Sequence, residues 1–552
     1  MVRIPNLNCT FSQVFFGWSA IARLIRFPVR YGILTAVRPQ ALPERGGTGF
    51  DWIRDTPFGS AVVPARFANY NRRMNDQQPT PEIFHWIEGS QWNPQDGRFF
   101  KTKNPLDDRT LGSVSLGSEA VIDRAVQAAH SAFDSFRCVA PTQREKWLLQ
   151  AAELLETRRE RLVRILIDEI GSPVSKAEKE VEVALGILRA SAGAVRRVTG
   201  RTYPSDIGGR LSYSVRQPLG VVAGMTPFNV PLIKAFKQTA MPLATGNTVV
   251  LLPSEETPLL VHEVARIYQD AGLPAGVLNV VYGDGSEIGD TLTGHPLVKA
   301  VGFTGSYQVG RHVMELCGKL GKRVTLELGG KNPLVVLDDA DLKKAIPGCV
   351  VGAFLFQGQI CMSASRIFVE KGIAPEFRAA LSQAVDRIQV GDLHDPGTLI
   401  GPIINRRQRD RIRRHLEDAI GKGAQVISGN QWQGNILKPT LLSRVDDSML
   451  IHNEETFGPV TSIYEVESPE EALHMANQGG FGLSGAIYTN QLDRAMEFAE
   501  SLNAGMVHVN GSTIQDEPHV PFGGVGKSGF GREGADVAID ELTEWKWVTL
   551  HT

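Results

Sequence analysis

Two short glycine-containing segments of the chain carry a thiol and a carboxylate. Glu327 begins ELGGK at 327–331, and Cys361 ends FQGQIC at 356–361. Glycine lets the backbone approach a ligand closely, and a thiol with a base is the pair needed to attack a carbonyl and hydrolyse the resulting thioester. The pair predicts covalent catalysis. Taken alone, the Cys has the alternative of a small buried hydrophobic residue, and the Glu that of a helix cap or ion-pair partner.

A third candidate for this chemistry is Asn229, in TPFNVP at 226–231. Attack of a thiolate on a carbonyl creates an oxyanion, and a neutral side-chain amide can donate a hydrogen bond to it at any physiological pH. The alternative is an Asn that stabilises a turn between two prolines.

Two more segments have the pattern of a dinucleotide site. Glu255 follows the buried run at 248–254, and a carboxylate at the end of a parallel strand can accept hydrogen bonds from ribose hydroxyls. Gly305 and Ser306 follow another apolar run and turn into a helix, whose N-terminus can face a pyrophosphate. Singly, such turns occur in many α/β proteins.

The elements that must position these residues follow an alternating pattern. From Gly220 onward, short apolar runs alternate with helical stretches, which predicts βαβ units and a parallel sheet covered on both faces. The fold class expected is therefore α/β. The expected strands are 220–225, 248–252, 277–282, 300–303 and 324–328, with a second series from 333–337 past Tyr464.

The flanking regions predict helices before the sheet and a separate β-arm. The helical stretches expected begin after Ser118, run over 143–170 until Gly171, and continue over about 175–198. Two β-like runs around glycines at 200–217 predict a hairpin. The apolar run at 545–550 is expected to be a strand that pairs with this hairpin in the same or another chain.

Length and composition predict a protein that binds a small molecule. A chain of 552 residues exceeds one core of ordinary size, so two or three domains are expected. The formal net charge of −2 argues against nucleic acid or an anionic membrane as a partner, and the absence of a long apolar run predicts no membrane insertion. Five widely spaced Cys without a CxxC pair or Cys/His cluster indicate a reducing compartment and no metal site.

The first 73 residues differ in composition from the rest, with ten Arg, no Lys and three acidic residues. One interpretation is an organelle-targeting presequence. The other is a start site placed too far upstream, with the functional chain beginning at Met74. Both exclude 1–73 from the fold, and they predict an organelle and the cytoplasm, respectively, as the location.

Together and in this order, the motifs resemble those of the aldehyde dehydrogenase superfamily, from about Ile87 to the C-terminus. They are TPFNVP, GNTVVLLPSE, FTGS, ELGGKNP, FQGQIC, EETFGPV and PFGGVGKSG. The resemblance implies a Rossmann-like cofactor domain, an α/β catalytic domain and a β-hairpin arm that builds a homodimer or homotetramer. The expected boundaries are 74–196 and 218–328 for the NAD-binding domain, 197–217 and 540–552 for the arm, and 329–539 for the catalytic domain.

The resemblance also implies roles for individual residues. Cys361 would be the nucleophile, Glu327 the base that activates water, and Asn229 with the backbone N–H of Cys361 the oxyanion hole. In the cofactor site, Glu255 would bind the adenosine ribose, Gly305 and Ser306 the pyrophosphate, and Glu455 and Phe457 the nicotinamide ribose. The other cofactor-binding residues expected are Thr226, Phe228 and Leu328. The substrate-pocket residues expected are Val230, Ile233, Ile360, Met362 and Phe522.

The substrate expected is an aromatic aldehyde, oxidised to its acid through a hemithioacetal and a thioester. The resemblance is strongest to benzaldehyde, vanillin and salicylaldehyde dehydrogenases, at SVRQPLGV (214–221), at PFN in place of PWN, and at VNGST (509–513) followed by DEP (516–518). The small Val230 leaves room for a flat ring. The alternatives are an aliphatic or semialdehyde dehydrogenase, which for a semialdehyde needs a cation for the distal carboxylate, and a catalytically silent binding protein.

The cofactor expected is NAD rather than NADP. The charge of Glu255 repels a 2′-phosphate. Leu252 stands where the family usually has a Lys that contacts the adenosine ribose or the 2′-phosphate, so no cation offsets the repulsion there.

Overall fold

A computed structural model describes residues 80–551, and the predicted extension 1–73 lies outside them. The helices are α1 Glu119–Phe136, α2 Pro141–Thr157, α3 Arg159–Ile170, α4 Val174–Ala194, α5 Pro231–Ala244, α6 Pro258–Asp270, α7 Gly285–Gly294, α8 Tyr307–Leu320, α9 Leu342–Phe354, α10 Ala374–Asp386, α11 Arg406–Gly421, α12 Leu450–Asn453, α13 Pro469–Ala476, α14 Leu492–Ser501 and α15 Val537–Leu542.

The strands follow the predicted series and add short ones at the sheet edges. They are β1 Glu82–Ile83, β2 His85–Ile87, β3 Ser90–Trp92, β4 Phe99–Lys103, β5 Thr110–Ser115, β6 Arg201–Tyr203, β7 Arg210–Pro218, β8 Val221–Thr226, β9 Thr248–Pro253, β10 Leu278–Val280, β11 Val298–Gly305, β12 Arg323–Leu328, β13 Asn332–Val336, β14 Ala364–Glu370, β15 Gln425–Ser428, β16 Trp432–Gln433, β17 Ile436–Leu437, β18 Thr440–Ser443, β19 Val460–Val466, β20 Phe481–Gly482, β21 Ser484–Tyr488, β22 Met506–Val509, β23 Val525–Gly526, β24 Gly529–Phe530 and β25 Thr543–His551.

The first large sheet has the strand order β24-β12-β11-β8-β9-β10-β2-β3. Its central strands β12, β11, β8, β9 and β10 are parallel, and the edge strands pair antiparallel. Every residue of β8 and β9 is buried. Leu251 packs into one hydrophobic cluster and Val250 into another, so both faces of the sheet are covered, as continuous apolar runs predict.

The second large sheet has the order β15-β18-β19-β14-β13-β21-β22. All its pairs are parallel except β15 with β18. All five residues of β13 are buried, which matches the predicted second series. Along the chain, the first strand of this sheet is β13, which directly follows the Glu327 motif.

The predicted arm is a three-stranded antiparallel sheet of β6, β7 and β25. β25 pairs with β7 of the same chain from Thr543 opposite Pro218 to His551 opposite Arg210. The predicted hairpin and its pairing with the C-terminal strand are therefore confirmed, and the pairing is within one chain.

The single helical stretch predicted at 143–170 is divided in the structure, where α2 ends at Thr157 and α3 starts at Arg159. Arg158 leaves the helical conformation at φ −96° and ψ 7°, and its guanidinium forms an ion pair with Asp270. Because apolar residues recur on both sides of the break, the sequence pattern does not reveal it. Gly171 ends α3 in the left-handed conformation at φ 65°, as predicted.

The predicted boundary at 328/329 separates β12 from β13, which belong to different sheets. One strand from the segment assigned to the catalytic domain, β24, joins the first sheet beside β12. The domain boundaries stay a prediction. Across residues 80–551, we find no helix with the length and apolar character needed to cross a membrane.

Candidate active site

Cys361 lies in the connection between α9 and β14, in a backbone held away from regular structure. Phe356 and Gln357 have positive φ angles of 51° and 48°, which cost energy in non-glycine residues and mark functional sites. The side chain of Gln357 fixes this turn by donating to Pro402 O at 2.8 Å and accepting from Gly401 N at 2.9 Å. The turn is thus set by contacts from a distant segment.

The backbone of the thiol residue is fixed by a second side chain. Asn332, the first residue of β13, donates its amide to Cys361 O at 2.8 Å and to Ser363 O at 2.9 Å. The thiol is free of any disulfide. Burial raises the pKa of Cys361 to about 12, the charges of Glu327 and Glu455 add to the rise, and the charge of Lys234 opposes it. The resting thiol is therefore protonated, and its proton must leave when the sulfur attacks.

Glu327, the residue predicted to activate water, lies near the end of β12. It is 3% exposed, and neither of its carboxyl oxygens has a hydrogen-bond partner among the described residues. Gly523 lies against it, because an added Cβ there would be 2.6 Å from Glu327 Oε1. Burial raises the pKa of Glu327 to about 8, although the charge of Lys234 opposes the rise. A carboxyl with this pKa can exchange protons near neutral pH.

Asn229 follows β8 in the loop that leads into α5, and it is 3% exposed. Its backbone oxygen accepts from Lys176 Nζ at 2.7 Å, whereas no hydrogen bond in the described part of the chain uses its side-chain amide. Lys176 is paired with Glu180, and Glu180 Oε1 accepts from Leu232 N at 2.9 Å at the start of α5. The loop is therefore fixed while the amide stays available.

Lys176 also reaches the loop that carries the thiol, since its Nζ lies 4.2 Å from the centre of the Phe356 ring. The buried Lys176–Glu180 pair thus touches the segments of both Asn229 and Cys361. Sequence analysis missed this pair. Its only signal is an acid and a base four residues apart on a largely apolar helix.

A second set of charged residues missed by sequence analysis lies beside Glu327. Lys234 Nζ is 2.8 Å from Glu533 Oε2, and Gln238 donates to Glu533 Oε1 at 3.1 Å. Lys237 Nζ is 2.8 Å from Asp516 Oδ2. We call these residues, Lys234, Lys237, Gln238, Asp516 and Glu533, the α5 cluster.

Charges within the α5 cluster keep Lys234 and Glu533 ionised. Burial alone lowers the pKa of Lys234, but the negative charges of Glu533 and Glu327 outweigh burial and raise it. Burial alone raises the pKa of Glu533, but Lys234 and Lys237 outweigh burial and lower it. The cluster is therefore a set of matched ion pairs. Two Lys three residues apart in the apolar helix α5 are the signal that sequence reasoning could have used.

The residues expected at the adenosine and pyrophosphate end lie at one edge of the first sheet. Thr226 ends β8, Glu255 follows β9, and Gly305 ends β11, and β8 lies between β9 and β11. The chain moves from β8 outward to β9 and later returns to β11 on the other side, so a topological switch point lies here. Ser306 is the N-cap of α8, whose first N–H groups suit an anion. This edge fits a dinucleotide.

Two loops expected at the nicotinamide end are in contact. The Phe228 and Phe457 rings are 5.9 Å apart and edge-on, and Phe457 has a φ of 56°. Glu455 Oε1 accepts from Gly330 N at 3.2 Å, and burial raises the pKa of Glu455 to about 7. Leu328 is 4% exposed in the core. Phe457 and Glu455 are thus placed next to the segments of Asn229 and Glu327.

The residues expected in the substrate pocket divide into three groups. Val230 and Ile233 lie at the start of α5 and are partly exposed. Ile360 and Met362 flank Cys361 and pack in the main hydrophobic cluster. Phe522 is 2% exposed, and its backbone exchanges two 2.8 Å hydrogen bonds with Glu533. Their contact with substrate stays a prediction.

A cavity lies behind the α5 cluster, between α5 and α15, and is lined in part by Lys237, Glu533 and Arg532. Its lining includes neither Cys361 nor Glu327, so it is not where a thiol-bound substrate would react. Among residues 80–551, no group of three or more His, Cys, Asp or Glu side chains could hold a metal ion.

Within residues 80–551, the site combines a thiol, a buried carboxyl and a side-chain amide without hydrogen-bond partners, and a sheet edge that suits a dinucleotide. A family model described as the aldehyde dehydrogenase family matches residues 92–548. The chain belongs to the aldehyde dehydrogenase family, which confirms the predicted fold class and enzyme class.

Its relatives include enzymes of aromatic aldehydes. It is 41% identical over 467 residues to a vanillin dehydrogenase of Pseudomonas fluorescens, covering 84% of this chain and 97% of that protein. It is 39% identical to a benzaldehyde dehydrogenase of Bacillus subtilis, covering 84% and 95%. A salicylaldehyde dehydrogenase of Pseudomonas putida, solved with salicylaldehyde, superposes with a TM-score of 0.83 at 35% identity, over 85% of this chain and 98% of that one.

Proposed function

We propose that this enzyme oxidises an aromatic aldehyde to the carboxylic acid with NAD, through covalent intermediates on Cys361. The observation that carries the proposal is the state of Glu327, a buried carboxyl whose two oxygens have no hydrogen-bond partner in the described part of the chain and whose charge acts on the thiol. A buried carboxyl held only for stability would have hydrogen-bond partners. The names of the relatives support an aromatic substrate.

The residues act in sequence on the aldehyde. The Cys361 sulfur adds to the carbonyl carbon as its thiol proton passes to water, and the oxygen that gains the charge accepts a hydrogen bond from the Asn229 amide. The sheet edge formed by Thr226, Glu255 and Gly305 would hold NAD, which would supply the hydride acceptor that oxidation of the hemithioacetal requires. Glu327 then takes a proton from the water that attacks the thioester, the C–S bond breaks, and the acid leaves.

The α5 cluster argues against a semialdehyde as substrate. A semialdehyde needs an unpaired cation for its distal carboxylate, but Lys234 and Lys237 are already paired with Glu533 and Asp516. Introducing another buried carboxylate would leave one negative charge uncompensated, which is costly. A substrate that is neutral at its distal end fits the cluster.

The choice of NAD rests on the end of β9. Leu252 is 3% exposed and packs in the hydrophobic core, so it offers no cation to a 2′-phosphate. Glu255 follows the strand and places a carboxylate where ribose hydroxyls are expected. A solved relative, the betaine aldehyde dehydrogenase of Staphylococcus aureus, is described in complex with NAD+; it is 31% identical, with a TM-score of 0.83, over 85% of this chain and 95% of that one.

We also propose that the enzyme is a homodimer or homotetramer assembled through its arm, and that it works in the cytoplasm. Leu211, Trp547 and Leu550 of the arm are 52%, 66% and 50% exposed, which suits an interface between subunits. Light scattering on the purified enzyme measures its mass. The cytoplasmic location is supported by the five widely spaced Cys without a CxxC pair, a pattern that indicates a reducing compartment.

Formation of NADH with a panel of aldehydes tests the catalytic proposal. We expect turnover of benzaldehyde to exceed that of succinic semialdehyde, and we expect Cys361→Ala to lose turnover but still bind NAD, because the thiol forms the covalent intermediate. Cys138→Ala, at an exposed Cys, is the matched control and should keep full activity. Turnover by the Cys361→Ala enzyme would contradict the assignment.

A further inference from the structure

The side chains of Lys237 and Asp516 form a nearly enclosed ion pair beside Phe522. The Nζ–Oδ2 distance is 2.8 Å, and the two side chains are 6% and 14% exposed. The Lys237 ammonium also lies 4.0 Å from the centre of the Phe522 ring and 3.5 Å from Glu533 Oε2. The pair thus combines an aromatic surface with polar groups.

This pair lies close to the reacting groups. Phe522 precedes Gly523, which packs against the Glu327 carboxyl. The positive charge of Lys237 lowers the pKa of Glu327, and the negative charge of Asp516 raises the pKa of Cys361. Both charges therefore act on the two groups between which the aldehyde carbon must sit.

The pair has unused hydrogen-bonding capacity. An ammonium has three donors, and Lys237 directs two of them at Asp516 and Glu533. The carboxylate of Asp516 has about four acceptor positions, and Lys237 is its sole hydrogen-bond partner among the described residues. One donor and several acceptors therefore remain, which matches a hydroxyl group.

The chemistry of the pair favours a phenolic hydroxyl over other substituents. A phenol can donate its O–H to Asp516 and accept from Lys237 without adding charge to a balanced cluster. A bare or methylated ring would cover the pair and leave its remaining polar groups unpaired, which costs free energy. Sites that hydrogen-bond a substrate hydroxyl discriminate strongly against analogues that lack it.

On the basis of the proposed function, we propose that Lys237 and Asp516 determine specificity by binding a hydroxyl substituent on the aromatic ring of the aldehyde.

The test compares hydroxyl and methyl groups of similar size at the same ring position. kcat/KM is measured with NAD for ortho-, meta- and para-hydroxybenzaldehyde and for the three matching methylbenzaldehydes. At one position at least, we expect the hydroxyl compound to be favoured by about tenfold or more. The double variant Lys237→Met with Asp516→Leu removes both charges together, so no buried charge is left alone. In this variant the ratio should fall to within about threefold of one.

A matched control is the exposed pair Lys319 and Glu315, which has the same 2.8 Å separation. Lys319→Met with Glu315→Leu should keep the native ratio. If the double variant at the site does not fold, Lys237→Met with Asp516→Asn replaces it with the same expectation, since it also leaves no buried charge alone and Lys234 and Gln238 still bind Glu533.

The outcomes separate this proposal from the proposed function. Turnover of benzaldehyde without a hydroxyl preference at any position, or a preference that survives loss of Lys237, overturns the hydroxyl site alone. Absence of turnover with every aromatic aldehyde overturns the proposed function as well.

Discussion

The pH dependence of thioester hydrolysis tests the role of Glu327 directly. Burial raises the pKa of this carboxyl to about 8, and the form that accepts a proton from water is the ionised one. Below the pKa the ionised fraction falls about tenfold for each pH unit, so at about pH 7 roughly one tenth of the molecules hold the active base. Hydrolysis should therefore rise with pH and level off above about pH 8 to 9.

Rapid mixing separates this step from formation of the thioester. The initial burst of NADH reports attack by Cys361 and hydride transfer, and the later steady rate reports hydrolysis if that step is slow. In Glu327→Gln the amide cannot take a proton, so the steady rate should fall by about 100-fold to 10,000-fold. A clear burst should remain, and the rise of the steady rate with pH should be lost.

Two results would refute this reasoning. One is a steady rate of the native enzyme that does not change between about pH 6 and pH 9, because a base with the raised pKa must titrate in that range. The other is a Glu327→Gln enzyme whose burst rate falls as much as its steady rate. Cys138→Ala is a suitable control, since its exposed thiol lies outside the site.

Two further predictions concern the cofactor and the loop of Asn229. We expect kcat/KM with NAD to exceed kcat/KM with NADP by at least about tenfold, or about 1.4 kcal/mol. Leu252→Lys should narrow this difference by raising kcat/KM with NADP. Equal use of both cofactors by the native enzyme would contradict the prediction. Lys176→Met should lower the free energy of unfolding by about 3–5 kcal/mol, because it leaves Glu180 buried without its cation, and should lower kcat more than it changes KM. On the same helix, Lys179→Met breaks an exposed ion pair with Glu182 and should lower the free energy of unfolding by at most about 1 kcal/mol. If both variants had equal effects on unfolding and on kcat, Lys176 would have no role in positioning Asn229.

The sequence predicted the parts of this molecule that depend on local pattern. Continuous apolar runs such as 248–252 predicted buried parallel strands, and the turn residues after them predicted which side chains meet at the sheet edge. Gly171 marked a helix end because a left-handed residue there favours glycine. The three catalytic candidates were found because each sits in a short distinctive segment, although their roles came from family resemblance.

The parts that sequence analysis missed depend on contacts between distant segments. Glu533 is hydrogen-bonded to Lys234, and Asp516 to Lys237, across nearly 300 residues in each case. No local sequence pattern predicts which of the many acidic residues will form an ion pair with a buried Lys. Gln357 likewise looks like an ordinary polar residue in the sequence. Its hydrogen bonds to the backbone of 401–402 form only in the tertiary fold.

The α5 cluster explains how Glu327 can stay unpaired next to a buried Lys. If Lys234 bonded Glu327 directly, the ion pair would lower the pKa of that carboxyl and make it a weak base. Lys234 instead forms an ion pair with Glu533 at 2.8 Å. The charge of Lys234 therefore opposes the effect of burial on the pKa of Glu327 without bonding the Glu327 oxygens. β24 and the residues around it make this possible, because β24 joins the first sheet beside β12 while Glu533 follows a few residues later. The antiparallel strand β24 therefore contributes to catalysis, because it brings the Glu533 carboxylate to Lys234 and leaves Glu327 free to accept a proton.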